Sequence, residues 1–165
     1  MESHPVYTWF LSALLAFSLN EVGAAPNLIE LVETLERSGF PVLWEQPPQW
    51  GAYGLLEVEK RSIWIHPVVF ELGIAQPTVV HEAVHAAQFC AAEALDDAPP
   101  QSIMDLSPLG LGLTPSPLVR PYILRYSDSK RRQLELEAYA LQAEENGVDR
   151  AIVLLETYCE PTNVP

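Results

Sequence analysis

The sequence predicts an α+β fold in which one central helix packs against a small β-hairpin and several further helices. Apolar residues recur at helical spacing in several separate segments, and two short segments in the first half alternate as strands do. A chain of 165 residues is long enough for one domain with a buried core. We therefore expect residues 1–165 to form a single domain that is mainly helical.

The N-terminus carries an apolar run from residue 6 to residue 19, followed by Val22-Gly23-Ala24, which resembles a signal-peptidase site. Residues 1–5 contain no lysine or arginine, whereas secretory signals begin with a basic region. The run is also too short to span a bilayer, so no stable membrane span is expected. A first core helix is therefore favoured over a cleaved signal, and a cytoplasmic location over export.

The next segment predicts a helix followed by a β-hairpin. Asn27 is a good N-cap and Gly39 a good C-terminal stop for the helix, and residues 40–44 form a short β-type run. Residues 53–58 and 62–66 are predicted to pair as a hairpin around residues 59–61. In the second strand Ile63 and Ile65 are expected to face the same side.

The central helix is predicted to start at Gln76-Pro77 and to run to about Leu95, since proline suits the first helical position. Its many alanines allow neighbouring elements to approach closely. Residues 96–121 then form a long proline-rich loop. A loop of this length is either functional, as a wall or cover of a site, or a plain connector.

Two further helices are predicted near the C-terminus. The first spans residues 127–146, with Ser127 or Ser129 as its N-cap. The second spans residues 150–158, with Asp149 as its N-cap.

The central helix carries the sequence HEAVH at residues 81–85. Side chains four residues apart lie on the same face of a helix, with Cβ atoms about 5–6 Å apart, so His81 and His85 can bind one metal ion. Glu82 is then placed to act as a general base. The alternative is a helix with two ordinary histidines and a surface glutamate.

A catalytic zinc site takes three protein ligands and a water molecule. His4 is terminal, His66 directly precedes a proline, and no third histidine closely follows His85, which excludes the metzincin pattern. A carboxylate on another helix is therefore expected as the third ligand, and Glu135 and Glu137 are the candidates.

Helical geometry separates these two glutamates. Four residues share one narrow strip that is predicted to face solvent: Lys130, Gln133, Glu137 and Glu144. Glu135 lies on the opposite, inward side, where an unpaired carboxylate would be costly without a cation as its partner. Glu135 is therefore the predicted ligand, with Glu137 as the alternative.

The HExxH motif followed by a downstream helix with Glu-x-x-Ala (Glu135 to Ala138) resembles the gluzincin metallopeptidases. The layout is similar to the small ImmA/IrrE-type peptidases, to the HtpX-like membrane peptidases and to small zincin-like domains. This resemblance covers residues 53 to about 145 and implies a minimal zincin-like fold with Zn²⁺ held by His81, His85 and Glu135. Glu137 with Ala140 has the same spacing, so the motif leaves both glutamates open.

The resemblance implies a zinc-dependent metallopeptidase that hydrolyses peptide bonds with a metal-activated water and Glu82 as general base. Three tyrosines are expected either to donate to the oxyanion or to belong to the core: Tyr122, Tyr126 and Tyr139. Gln88 is expected either to orient a ligand or to lie at the helix edge. The rivals are a non-catalytic zincin-like metal-binding structural or sensing module and a metal-free helical interaction protein.

Composition restricts the partners. The net charge of −13 argues against nucleic acid and anionic membrane surfaces and fits basic or neutral substrates. The resemblance to metallopeptidases implies that the substrate is a peptide or protein. The two cysteines, Cys90 and Cys159, either form a disulfide or remain buried thiols, and the sequence leaves both open.

Overall fold

A computed structural model describes residues 26–94, 99–104, 123 and 125–159. The predicted N-terminal helix and most of the proline-rich loop lie outside these residues. The described helices are α1 (Pro26–Arg37), α2 (Val68–Glu71), α3 (Ala75–Glu93), α4 (Ser129–Gln142) and α5 (Gly147–Tyr158). Together with a three-stranded sheet they confirm the predicted α+β class. None of these helices is both long and apolar enough to cross a membrane.

The sheet consists of β1 (Val42–Leu43), β2 (Gly54–Glu57) and β3 (Ser62–Ile65) in the order β1-β3-β2. β2 pairs antiparallel with β3, which confirms the predicted hairpin, and β1 pairs parallel with β3. A single 3-10 turn at Val58–Lys60 joins the hairpin strands, and Arg61 leaves it in the left-handed region at φ 49°.

The central helix α3 is buried on nearly all sides. Ala83, Val84, Ala86 and Ala87 are completely buried, and the helix packs against α1, α4, α5 and β2. A helix surrounded in this way needs no polar stripe, and its small side chains let the neighbouring backbones come close. On the sheet side, Ile63 and Ile65 face this core as predicted.

A disulfide joins Cys90 of α3 to Cys159, the residue that follows α5. Of the two readings of the cysteine pair, the bridge is therefore the one found. Disulfides form and persist in oxidising environments and are rare in the cytosol. The cytoplasmic location expected from the N-terminus stays a prediction.

Three predicted helix starts are wrong. Helix α1 already includes Pro26, so Asn27 is not its N-cap. Asp128, rather than Ser127 or Ser129, caps α4, because its carboxylate accepts the backbone N–H of Arg131 at 2.7 Å. The last helix begins at Gly147 rather than at Arg150. Gly147 packs so tightly against the end of α4 that a Cβ there would lie 2.5 Å from the carbonyl oxygen of Leu141.

Candidate metal centre

Three side chains from two helices meet at one point. His81 and His85 stand one turn apart on α3, and Glu135 reaches them from α4. The Nε2 atoms of the two histidines are 3.1 Å apart, and Glu135 Oε2 lies 3.5 Å from Nε2 of His81 and 3.8 Å from Nε2 of His85. The structure thus brings together the three residues that the sequence predicts as ligands.

These three atoms form a nearly equilateral triangle. The circle through them has a radius of about 2.0 Å, from the three separations. Zinc binds imidazole nitrogen at about 2.0–2.1 Å and carboxylate oxygen at about 2.0–2.2 Å. A zinc ion near the centre of the triangle would therefore lie at ordinary bonding distance from all three atoms.

The other ring nitrogens face amide oxygens. His81 Nδ1 lies 2.9 Å from Gln142 Oε1, and His85 Nδ1 lies 2.8 Å from Gln88 Oε1. Because an amide oxygen only accepts, this orientation of the two amides places a proton on each Nδ1, and in the neutral rings each Nε2 presents a lone pair. Two lone pairs and a carboxylate oxygen then face the same point, an arrangement that a cation stabilises.

The pKa shifts of His85 and Glu135 also indicate that the cluster stabilises positive charge. Burial works against charging His85, but its hydrogen bond to Glu135 and the charges of Glu82 and Glu135 raise its pKa to about 8. Burial also works against charge on Glu135, yet hydrogen bonds to His81 and His85 hold the pKa of this carboxyl well below its usual range. The cluster therefore favours a bound cation, whether a proton or a metal ion.

Glu82, the predicted general base, is buried between α3 and strand β2. Only 6% of the residue is exposed, and its charge acts directly on His85. β2 passes so close that a Cβ at Gly54 would lie 2.6 Å from Glu82 Oε1. Sequence reasoning missed Gly54, although a glycine inside a strand is a recognised sign of a close backbone approach.

Two of the three tyrosines considered as oxyanion donors lie at the cluster, and Tyr122 lies outside the described residues. Burial and the nearby charge of Glu135, which accepts a hydrogen bond from Tyr126, raise the pKa of Tyr126. The Tyr139 ring packs edge-on against His81, with centroids 4.7 Å apart. Tyr126 thus presents its hydroxyl on the side of α4 that carries Glu135.

The predicted solvent exposure of Glu137 is wrong. The residue is completely buried, and its carboxylate accepts hydrogen bonds from Ser102 Oγ and from the backbone N–H of Ile103. The segment after α3 therefore covers the strip of α4 at Glu137, whereas Lys130 on the same strip is exposed as expected. Glu137 lies outside the His81, His85 and Glu135 group, so geometry favours Glu135 over Glu137 as the third ligand.

Gln88 and Gln142 hold the two histidines from outside the cluster. Gln88 is completely buried rather than at the helix edge, and its Oε1 faces Nδ1 of His85. Sequence reasoning assigned no role to Gln142, although it follows Glu135 by two helical turns and so shares its face. The remaining described histidine, His66, accepts the backbone N–H of Val68 at 3.1 Å and takes no part in the site.

The likeness to gluzincins remains a prediction, and a function has to be inferred from the geometry of the cluster. The chain matches no protein-family model, none of the curated proteins and no solved structure.

Proposed function

We propose that this protein is a zinc-dependent metallopeptidase. The observation that carries the proposal is the triangle of His81, His85 and Glu135 atoms, whose size suits zinc. A structural zinc site is usually closed by four protein ligands, whereas a catalytic site keeps one position open. Within the described part of the chain, no fourth His, Cys, Asp or Glu joins this group, which favours catalysis over a purely structural role.

A zinc ion, when bound, supplies a Lewis acid that polarises a peptide carbonyl and acidifies a water molecule. Glu82 takes the proton from the attacking water and passes it to the leaving amine. Its burial against Gly54 and its influence on His85 hold this carboxylate beside the cluster. The Tyr126 hydroxyl, on exchanging its hydrogen bond to Glu135 for one to the substrate, would donate to the developing negative charge on the carbonyl oxygen.

Strand β2 offers a docking place for an extended peptide. Among the described residues it pairs only with β3, so the backbone groups on its other side have no strand partner there. A peptide added at this edge would run past Gly54, where a Cβ would meet the Glu82 side chain. The scissile bond of such a peptide would thereby come close to the proposed base.

The charges around Tyr126 bear on which peptides bind. Four of the nine lysines and arginines in the chain lie between residues 125 and 132. The Arg131 guanidinium lies 4.8 Å from the centroid of the Tyr126 ring, and the charges of Arg125 and Arg131 both act on that tyrosine. Although the net charge alone suggested basic or neutral substrates, we infer that this local cluster favours an acidic residue near the scissile bond.

The first test is metal analysis of protein purified without chelators, followed by digestion of a broad peptide library. We expect about one zinc ion per chain, and for Glu82→Gln we expect retained zinc with activity lower by about 10²–10⁴-fold. Glu33→Gln, which makes the same charge change at an exposed position of α1, is the matched control. Protein that binds no zinc would refute the proposal.

The non-catalytic alternative gives a different result. Zinc bound at one ion per chain, with no peptide cleaved by wild type, would favour a metal-binding structural or sensing module. In that case His81→Ala would abolish zinc binding and lower the melting temperature, but no enzymatic readout would change.

A further inference from the structure

Glu137 is a completely buried carboxylate with an unusually complete set of donors. Gln88 Nε2 donates to it at 2.9 Å, the backbone N–H of Ile103 at 3.1 Å and Gln133 Nε2 at 3.4 Å, and Ser102 Oγ is also hydrogen-bonded to it. A buried carboxylate is costly unless such bonds satisfy it. These four hydrogen bonds therefore stabilise the buried carboxylate of Glu137.

The Gln88 amide has only one orientation that fits its surroundings. Its Nε2 donates to Glu137 and also to the backbone carbonyl oxygen of Leu134, at 3.1 Å. A main-chain carbonyl can only accept, so a flipped amide would place two oxygens against each other. Gln88 Oε1 must therefore point the other way, towards His85.

The fixed amide then fixes the imidazole. Gln88 Oε1 lies 2.8 Å from His85 Nδ1 and can only accept, so that nitrogen must carry the proton. In the neutral ring the lone pair is left on Nε2, which faces His81 and Glu135. The Leu134 carbonyl oxygen can only accept, and this restriction determines the direction of the hydrogen bonds made by Gln88 and His85.

We propose that Glu137 and Gln88 are positioning residues that lock His85 in its Nδ1–H tautomer and aim its Nε2 lone pair at the candidate metal centre. The negative charge of Glu137 polarises the Gln88 amide and strengthens the bond from His85 Nδ1, which makes Nε2 a better electron donor. The effect on metal binding rests on the proposed function, whereas the tautomer does not.

The same relay ties the segment after α3 to the histidine. Ser102 and Ile103 both bind the Glu137 carboxylate, and the backbone N–H of Gln101 donates to the carbonyl oxygen of Gln88 at 3.4 Å. His81 is held less firmly. Among the described residues no acceptor is hydrogen-bonded to Gln142 Nε2, so the amide that faces His81 is fixed by one bond alone.

The test is ¹⁵N NMR of the histidine side chains in metal-free protein at about pH 9.5, above the pKa of about 8 that His85 has in this environment. Wild type should show His85 with Nδ1 protonated and Nε2 bare. Gln88→Met, which keeps the length of the side chain and removes its polar groups, should give a mixture of both tautomers. Glu137→Gln keeps an acceptor for Gln88 and should retain the Nδ1–H form.

Zinc affinity, measured by competition with a chromophoric chelator, is the second readout. Gln88→Met should weaken binding by about 10–100-fold, as loss of a ligand's hydrogen-bond partner typically does, with Glu137→Gln in between. Gln76→Met, on the first turn of the same helix, is the matched control and should bind as wild type does.

The outcomes separate the two proposals. His85 protonated on Nε2 in wild type, or a tautomer and zinc affinity unchanged in Gln88→Met, would overturn the relay even if zinc binds. A locked Nδ1–H tautomer in protein that binds no zinc would uphold the tautomer assignment and refute the metallopeptidase. If Gln88→Met does not fold, the wild-type spectrum still decides the tautomer.

Discussion

Replacing Gly54 by alanine should strongly lower the proposed peptidase activity while leaving zinc binding and the fold largely intact. A Cβ at this position would lie 2.6 Å from Glu82 Oε1, 2.8 Å from its Cγ and 3.0 Å from its Cδ. All three atoms belong to the side chain of Glu82, not to backbone. The protein can therefore relieve the clash by moving this one carboxylate, which is the proposed base.

The size of the effect follows from the displacement required. Ordinary van der Waals contact begins at 3.4 Å, so the carboxylate oxygen has to move by about 0.8 Å. A misplacement of about 1 Å in a catalytic group typically costs on the order of 100-fold in rate. We therefore expect kcat/KM to fall by about 100-fold, with zinc affinity changed by less than about threefold, because Glu82 is not one of the three ligands.

The assay is kcat/KM on a cleaved peptide beside zinc titration and thermal melting of the same preparations. Leu55→Ala is the matched control, since residue 55 lies on the opposite face of β2 and its side chain points away from Glu82. Near-normal activity in Gly54→Ala, or equal loss in both variants, would refute the role assigned to Glu82. Loss of zinc in Gly54→Ala would show that the clash is relieved by the ligands instead.

Four further predictions follow, two on pH, one on the disulfide and one on substrate charge. Because a metal ion must displace the proton of His85, zinc affinity should fall by about tenfold per pH unit below pH 8. Constant affinity from about pH 6 to 8, measured by competition with a chelator, would contradict this prediction. In metal-free protein the pKa of His85 is raised from 6.5 to about 8, so protonation of His85 stabilises the fold by about 2 kcal/mol below pH 6.5. This contribution is lost as the pH rises through 8, and urea unfolding at several pH values should show the loss. Removing the Cys90–Cys159 bridge, whose partners are 69 residues apart, should lower the free energy of unfolding by about 4 kcal/mol, because the unfolded chain gains conformational entropy. Denaturant unfolding of Cys159→Ser beside wild type measures this difference. Arg131→Gln should reduce kcat/KM for peptides with an acidic residue near the scissile bond more than for neutral ones, and an equal reduction for both would argue against charge recognition.

The parts of the site that follow from local helical geometry could be predicted from the sequence. His81 and His85 share a face because they are four residues apart, and the inward direction of Glu135 follows from its phase on α4. The hairpin and the alanine-lined helix also follow from patterns among residues that are close together in the sequence. All of these features were fixed by short-range spacing.

The parts that failed depend on contacts between distant segments. Glu137 looked solvent-facing because the phase of α4 cannot reveal that Ser102 and Ile103 cover it. Gly54 gave only a weak signal, since its importance comes from the approach of Glu82 on another element. Tertiary packing of this kind overrides a helical-wheel argument, because the residues that pack together are far apart in the sequence.

The position of the disulfide has a consequence for how the metal centre assembles. Glu135 lies inside the 69-residue segment that the Cys90–Cys159 bridge closes, whereas the two histidines lie just ahead of it on α3. Even if α4 detached, the closed ring would keep its carboxylate within reach of the histidines at a high effective concentration. The oxidised chain should therefore recapture zinc after transient opening more readily than the reduced chain, so that thiol chemistry and metal retention are thermodynamically linked.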